Sequence, residues 1–237
     1  MTPLATLLDL QDHDTAADQQ RHKRASLPER AELVEIERAR ATLEAESAGV
    51  AAERAELARE QRRLEDEVAA VESKASSEDT RLYSGTITSP KELQTLQEEI
   101  ASLKRRQGVL EDRVLELMEQ GEPLDEQLAG FASRRATLDA RAADVRSRLA
   151  SAETEIDADL ARLASERALL ASGVAAGVLA EYEQLRTRLG GVAAAKLEGG
   201  SCRGCHLHLA AVELDRIRKL PADAIVHCEE CGRILVR

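Results

Sequence analysis

Hydrophobic residues recur every seven positions through the first third of the chain. The series begins at residue 36 and consists only of branched aliphatic residues: Ile36, Leu43, Val50, Leu57, Leu64 and Val71. A seven-residue spacing keeps one face of a helix against a partner along its whole length. The pattern therefore predicts a long amphipathic helix in this part of the chain.

A second and stronger series begins at residue 93. Its apolar residues are spaced mostly by three and four: Leu93, Leu96, Ile100, Leu103, Leu110, Val114, Leu117, Leu124, Leu128, Phe131, Leu138, Ala142, Val145, Leu149, Ala152 and Ile156. Heptads sustained over this length impose a left-handed supercoil on packed helices. We therefore expect a second long helix that packs as a coiled coil.

Between the two series the sequence favours a turn. Gly85 to Thr88 are poor helix formers, and Pro90 suits the first turn of a new helix. We expect the chain to reverse here into an antiparallel hairpin, with a helical arm at about 4–78, a tip at about 79–89 and a second arm at about 90–189. With the tip near Ser84, Gly121 would face roughly Gly49. Pro28 predicts a break after a first helix.

Composition agrees with this architecture. Aromatic residues make up 1 % of the chain and charged residues 32 %, which with helical periodicity is typical of a coiled coil. Disorder is the alternative for so polar a chain, and the regular aliphatic spacing argues against it. The net charge of -11 does not attract a phosphate backbone, so any nucleic-acid contact is expected to be local.

The sequence contains no segment that suggests a membrane or export. No apolar run approaches the ~20 residues that span a bilayer. The first residues lack the basic and apolar regions of a signal peptide. We therefore expect a cytoplasmic protein without a membrane partner. In that reducing compartment cysteines are more typical of metal ligands than of disulfides.

All four cysteines lie in the segment 190–237 and form two CxxC pairs. Cys202 and Cys205 are separated by 22 residues from Cys228 and Cys231. Four thiolates complete a tetrahedral shell, which predicts one structural Zn²⁺ with no open position for water. We expect a C4 zinc ribbon with short strands, among them 224–226 and 234–236, and a short helix closed by Pro221.

Three alternatives remain open for the cysteines. Cys202 to His206 matches the CxxCH pattern of haem attachment, which requires export and leaves the second pair unexplained. A redox CxxC pair would normally lie in a βαβ unit, which is not predicted here. His206, His208 or His227 could replace one cysteine as a ligand, although we expect these side chains beside the site or in solvent.

Two groups of residues are candidates for partner binding. Basic side chains in the ribbon could contact phosphate or an acidic protein surface, or could simply be solvated: Arg203, Arg216, Arg218, Lys219 and Arg233. Loops at the end of a rigid hairpin are natural contact points, so the tip residues Tyr83, Ser84 and Gly85 could bind a partner or only form the turn.

Several segments resemble a known bacterial family of C4-type zinc-ribbon proteins with an N-terminal coiled-coil hairpin. The similar segments are 82–85 and 89–94 at the tip, 110–112 and 116–118 in the second arm, and 202–205 and 228–235 in the ribbon. The resemblance implies a mostly α fold and a scaffold or adaptor rather than an enzyme. It also implies partners such as RNA or the transcription and secretion machinery, including a sigma factor.

The sequence thus predicts a non-enzymatic adaptor that binds a protein or nucleic-acid partner linked to gene expression. We expect a monomer or homodimer without a small-molecule substrate. The alternative is an architectural or chaperone-like clamp in which the ribbon is purely structural. No nucleophile–base pair, phosphate-binding glycine loop or open metal site suggests catalysis.

Overall fold

The structure, a computed structural model, describes residues 4–222 and 224–237. Its elements in chain order are α1 (Ala5–Ala25), α2 (Pro28–Tyr83), α3 (Pro90–Ser172), α4 (Ala176–Arg188), β1 (Ala194–Glu198), β2 (Ser201–Cys202), α5 (Ala211–Lys219) and β3 (Ile234–Val236). This confirms the predicted fold class, a mostly α protein with long helices in a hairpin and a small C-terminal region of short strands and one short helix.

The heptad residues form the seam between α2 and α3. Every residue of the two series is buried or partly buried. Burial is greatest at Ala142 and Val145, followed by Ile36 and Ile156. Two helices alone enclose a narrow seam, so the remaining positions stay partly open to solvent. The antiparallel arrangement is also visible in ion pairs between the arms, such as Lys74–Glu99 at 2.8 Å.

The expected tip and register differ from the structure. α2 continues to Tyr83, past the expected end near 78. The reversal is therefore later in the chain, and Gly121 lies against Arg54 rather than Gly49. The expected facing of Gly121 and Gly49 is wrong for this reason.

Both arms consist of more than one helix. Ser26 and Leu27 separate α1 from α2, and the segment 173–175 separates α3 from α4. The amide of Gly173 bonds to Leu170 O at 3.0 Å, which closes the last turn of α3. α3 itself stays helical through Pro123. No helix in the described ranges combines the length and apolar composition needed to pass through a bilayer.

Contacts divide the chain into two compact units that do not follow the linear order. One unit is formed by 33–144, and the other combines the N-terminal segment up to Glu32 with 145–237. The second unit therefore contains both α1 and the ribbon. The boundary between 189 and 190 stays a prediction.

The ribbon sheet has the strand order β2-β1-β3. β1 pairs antiparallel with β2 and parallel with β3. The predicted strand at 224–226 is wrong: its only ladder contact is the amide of Leu235 bonding to Val226 O at 2.7 Å, and the isolated bridge lies one residue later, between His227 and Ile234. These residues cover the outer edge of β3 without becoming a regular strand.

The sheet separates two small hydrophobic cores. Side chains alternate along a strand, so Ile234 and Val236 face one side of β3 while Leu235 faces the other. The first side packs against α1 and α4, in a core that includes Leu7, Leu10 and Tyr182. The second side packs against α5 and the cysteines, in a core that includes Cys202, Cys228 and Ile217.

Candidate metal centre

The two CxxC pairs adopt the same backbone arrangement. In the first, the amide of Cys202 bonds to Leu207 O at 3.0 Å and Cys202 O accepts from the amide of His206 at 2.8 Å. In the second, the amide of Cys228 bonds to Arg233 O at 2.9 Å and Cys228 O accepts from the amide of Gly232 at 2.7 Å. Each pair is therefore a tight knuckle closed on its first cysteine.

The residue after each second cysteine has a left-handed backbone. The φ angle is +72° at Gly232 and +62° at His206. Glycine adopts this region freely, whereas His206 is the one non-glycine residue with positive φ in the described ranges. His206, the histidine of the CxxCH pattern, thus forms the turn that follows Cys205. This turn accounts for its position next to the cysteines without any bound haem.

The four sulfur atoms converge on one point. They lie within 4.8 Å of one another, with Cys202 Sγ 3.9 Å from Cys231 Sγ and Cys205 Sγ 3.8 Å from Cys228 Sγ. A tetrahedral Zn²⁺ with bonds of about 2.3 Å requires sulfurs about 3.8 Å apart. The cysteines therefore fit a single structural zinc ion held by four thiolates.

The surroundings act differently on the thiols. Burial raises the pKa of Cys228 to about 12 and also raises the pKa of Cys202. Burial acts in the same direction on Cys231, but hydrogen bonds with Arg233, Cys228 and Cys205 together outweigh it and lower the pKa of that thiol to about 7. The lowered pKa of Cys231 favours the thiolate form that binds a metal ion.

The histidines near the site have partners away from the sulfur cluster. His227 Nε2 lies 2.9 Å from Glu181 Oε1 on α4, and His208 Nδ1 lies 3.1 Å from Ser201 Oγ. His208 also packs over Gly200, where a Cβ would lie 2.7 Å from its Cε1. These contacts agree with the expectation that His208 and His227 lie beside the cysteine site and are not its ligands.

The predicted basic residues of the ribbon are largely engaged within the chain. Arg203 lies 2.7 Å from Glu198, Arg216 contacts Glu213 at 2.5 Å, and Arg218 is 3.7 Å from Asp215. Arg233 is turned inward, where Nε donates to Val192 O at 3.0 Å. Lys219 is exposed in the last turn of α5.

The predicted tip residues belong to the other unit, 33–144. Tyr83 is 80 % exposed. Ser84 Oγ donates to Arg81 O at 2.8 Å, and Gly85 has a φ of +72°. Ser84 and Gly85 thus form the turn, while the Tyr83 side chain extends into solvent.

Sequence reasoning missed two buried polar residues of α1, Gln11, which bonds to the ribbon, and Asp14, which bonds to α3 and α4. Gln11 Oε1 accepts from the amide of Ala193 at 2.7 Å, and Gln11 Nε2 donates to Gly191 O at 2.9 Å. Asp14 is 2 % exposed and accepts from Arg167 Nε at 2.6 Å and from Tyr182 O–H at 2.8 Å. Gln11 and Asp14 follow Leu7 by four and seven residues, which places all three on one face of a helix. This spacing could have indicated from the sequence that the two polar side chains are buried.

The fold and the cysteine site together define a zinc-ribbon protein with an α-helical coiled-coil hairpin. Residues 10–190 match the CT398-like coiled coil hairpin domain, and residues 201–235 match the C4-type zinc ribbon domain. The chain belongs to the CT398-like hairpin family, which confirms the resemblance seen in the sequence.

Several relatives and solved structures are similar over the whole chain. The uncharacterized protein Rv2229c of Mycobacterium tuberculosis is 31 % identical over 98 % of this chain and 94 % of its own length. A solved Mycobacterium smegmatis protein has a TM-score of 0.86 at 25 % identity, with 100 % of both chains covered. CT398 from Chlamydia trachomatis has a TM-score of 0.64 at 18 % identity over 99 % of this chain and 97 % of its own, so that likeness concerns the fold alone.

Proposed function

We propose that this chain is a non-catalytic cytoplasmic adaptor whose zinc ribbon binds a partner protein that works in gene expression. The observation that carries the proposal is the exposure of two aliphatic side chains, one directly after the first CxxC pair and one in the first turn of α5. Leu207 is 49 % exposed and Val212 is 83 % exposed. Large apolar side chains that a small domain leaves exposed are typical of an interaction surface.

The zinc knuckle supports this role because it orders the segment in advance. Leu207 O is bonded to the amide of Cys202, and the amide of Leu209 bonds to Gly200 O at 2.9 Å. A partner that binds here loses little free energy to loop ordering. Four thiolates also fill the tetrahedral shell of a zinc ion, so the same site supports a structural rather than a catalytic role.

Charge pairing favours a protein partner over a nucleic acid. Two of the candidate cations, Arg203 and Arg216, already contact the carboxylates of Glu198 and Glu213. A phosphate would compete with these carboxylates, and the chain as a whole carries a net charge of -11. The link to gene expression is supported by the family resemblance in the sequence, and the architectural clamp is the runner-up.

The test compares surface variants of the intact, zinc-loaded protein. Deleting 199–237 is unsuitable, because Ile234 and Val236 share a core with Leu7. The variant Leu207→Ser with Val212→Ser changes only exposed side chains. Its matched control is Leu169→Ser, which changes an aliphatic residue of α3 that is 73 % exposed.

Each variant is used to capture partners from a native lysate, with and without nuclease. We expect a reproducible protein partner that is lost with the double variant, retained with the control and insensitive to nuclease. Capture that survives in the double variant would contradict docking on the ribbon and favour the clamp. Capture that disappears after nuclease treatment would identify a nucleic-acid partner instead.

A further inference from the structure

The hairpin unit exposes two large apolar side chains beside its buried seam. Leu115 is 56 % exposed and Met118 is 47 % exposed. They are three residues apart on α3, so they share one face of the helix, and each directly follows a seam residue, Val114 or Leu117. Positions outside the seam of a coiled coil are normally polar or charged, so this strip is an exception to the pattern.

A groove between the two arms continues this apolar strip. Its volume is about 300 Å³, and its apolar lining comes from Val68 of α2 together with Val114 and Leu115 of α3. Glu65 and Glu111 lie on its rim, one from each helix. The groove therefore has an apolar floor between two carboxylates.

The rim carboxylates keep their negative charge uncompensated. Gln61 Nε2 donates to Glu65 at 2.7 Å, and Gln107 Nε2 donates to Glu111 at 2.8 Å. Both donors are neutral amides, whereas carboxylates elsewhere on this unit form ion pairs, such as that of Asp125 with Arg54 at 2.9 Å. Among the described residues, neither rim carboxylate forms an ion pair. The amides orient the two carboxylates without cancelling their charge.

We propose that this groove, formed by Val68, Leu115, Glu65 and Glu111, binds a basic amphipathic helix of a partner protein. An apolar strip between two helices accepts the apolar face of a third helix. Lys or Arg residues on both sides of that face would reach the two carboxylates. A second copy of this chain is a poor occupant, because its net charge of -11 repels the same sign. The surface is separate from the ribbon and does not depend on the function proposed for it.

The probe for this groove is a fluorescein-labelled designed helix of about 18 residues, five turns long. It has leucine on one face and lysine on the others. Two matched probes accompany it: one with glutamate in place of lysine, and one with the same composition scrambled so that no apolar face forms. Binding to the zinc-loaded full chain is measured by fluorescence anisotropy at two salt concentrations.

Two double variants separate the apolar floor from the charged rim. Leu115→Gln with Met118→Gln removes the apolar strip, and Glu65→Gln with Glu111→Gln removes the charges. The apolar control is Val109→Gln, a residue of α3 that is 69 % exposed outside the groove. The charge control is Glu98→Gln, whose carboxylate likewise accepts from a glutamine four residues earlier.

We expect the wild-type chain to bind the lysine probe and to bind the other two probes at least about tenfold more weakly. The apolar double variant should weaken binding at least about tenfold, because burial of two aliphatic side chains is lost. The charge double variant should weaken it severalfold and flatten its salt dependence, while both controls match wild type.

Three results would overturn the proposal. Equal binding of the scrambled probe would show attraction by net charge alone. A loss in the controls as large as in the groove variants would place the binding elsewhere. A wild-type dimer in sedimentation velocity that disappears with Leu115→Gln and Met118→Gln would identify a second copy as the occupant. Circular dichroism of every variant confirms that the helices persist, since only exposed side chains are changed.

Discussion

Replacing Asp14 with asparagine tests the polar contacts that hold α1 against α3 and α4 within their common unit. Asp14 is buried and accepts hydrogen bonds from Arg167 and from the fully buried Tyr182. Arg186 Nε is also 3.5 Å from its carboxylate. Asp14→Asn keeps the shape of the side chain but removes the charge that these two arginines face.

The expected loss in the free energy of unfolding depends on which contacts Arg167 and Tyr182 lose in the variant. Removing one member of a buried ion pair typically costs about 3–5 kcal/mol. Arg167 keeps a second carboxylate, Glu183, and its side chain is 28 % exposed, which places the loss at the lower end. The amide oxygen of asparagine still accepts from Tyr182. We therefore expect Asp14→Asn to lower the free energy of unfolding by about 3 kcal/mol.

Two variants calibrate this value. Asp18→Asn removes a more exposed carboxylate from the same helix, one that also pairs with Arg186 at 2.7 Å. Exposed pairs contribute less, so its cost should stay below about 1 kcal/mol. Tyr182→Phe removes one neutral-to-charged hydrogen bond and should cost about 1.5 kcal/mol.

The assay is urea unfolding of the zinc-loaded chain, followed by hydrogen exchange with mass spectrometry. Because the chain has two compact units, exchange assigns the loss of stability to one of them. We expect faster exchange in α1, α4, β1 and β3 for Asp14→Asn and unchanged exchange within 33–144. Equal costs for the Asp14 and Asp18 variants, or exchange that rises equally in both units, would refute the reasoning.

Three further predictions concern the ribbon. Gln11→Ala leaves the buried amide of Ala193 without an acceptor and should cost about 1–3 kcal/mol in urea unfolding; no measurable loss would contradict the hydrogen bonds described for it. His206→Gly should keep its zinc and an equal or higher melting temperature, whereas His206→Val should lower it, since a β-branched residue is strained at positive φ. Removal of zinc by a chelator should abolish exchange protection in β1 and β3 but retain most of the far-ultraviolet helical signal. A general loss of helix would show that the hairpin depends on the metal.

The parts of the fold predicted from the sequence are those set by local spacing. The period of the apolar residues that begin at Ile36 and at Leu93 is enough to identify one face of each helix. The residues that pack between α2 and α3 could therefore be predicted from the sequence. The paired CxxC motifs define the metal ligands because a knuckle needs only neighbouring residues. Pro28 also predicted the break that ends the first helix, which the structure places at Ala5–Ala25.

The parts that were missed depend on contacts between distant segments. Leu7 and Leu10 look like the start of a coiled coil, yet they pack against Ile234 at the opposite end of the sequence. Val226 has the composition of a strand, but it lies beside β3 with a single ladder bond. Spacing along the chain carries no information on either pairing.

Because one compact unit combines α1 with 145–237, its order of assembly differs from its order of synthesis. During translation α1 is made before 145–237, and the core that buries its apolar face is complete only after α4, β1 and β3 have been made. The hairpin unit at 33–144 is continuous and can fold while synthesis proceeds. We therefore expect the leucines of this face (Leu4, Leu7 and Leu10) to stay exposed until 145–237 has been synthesised, and closure of this long loop to be a slow step of folding.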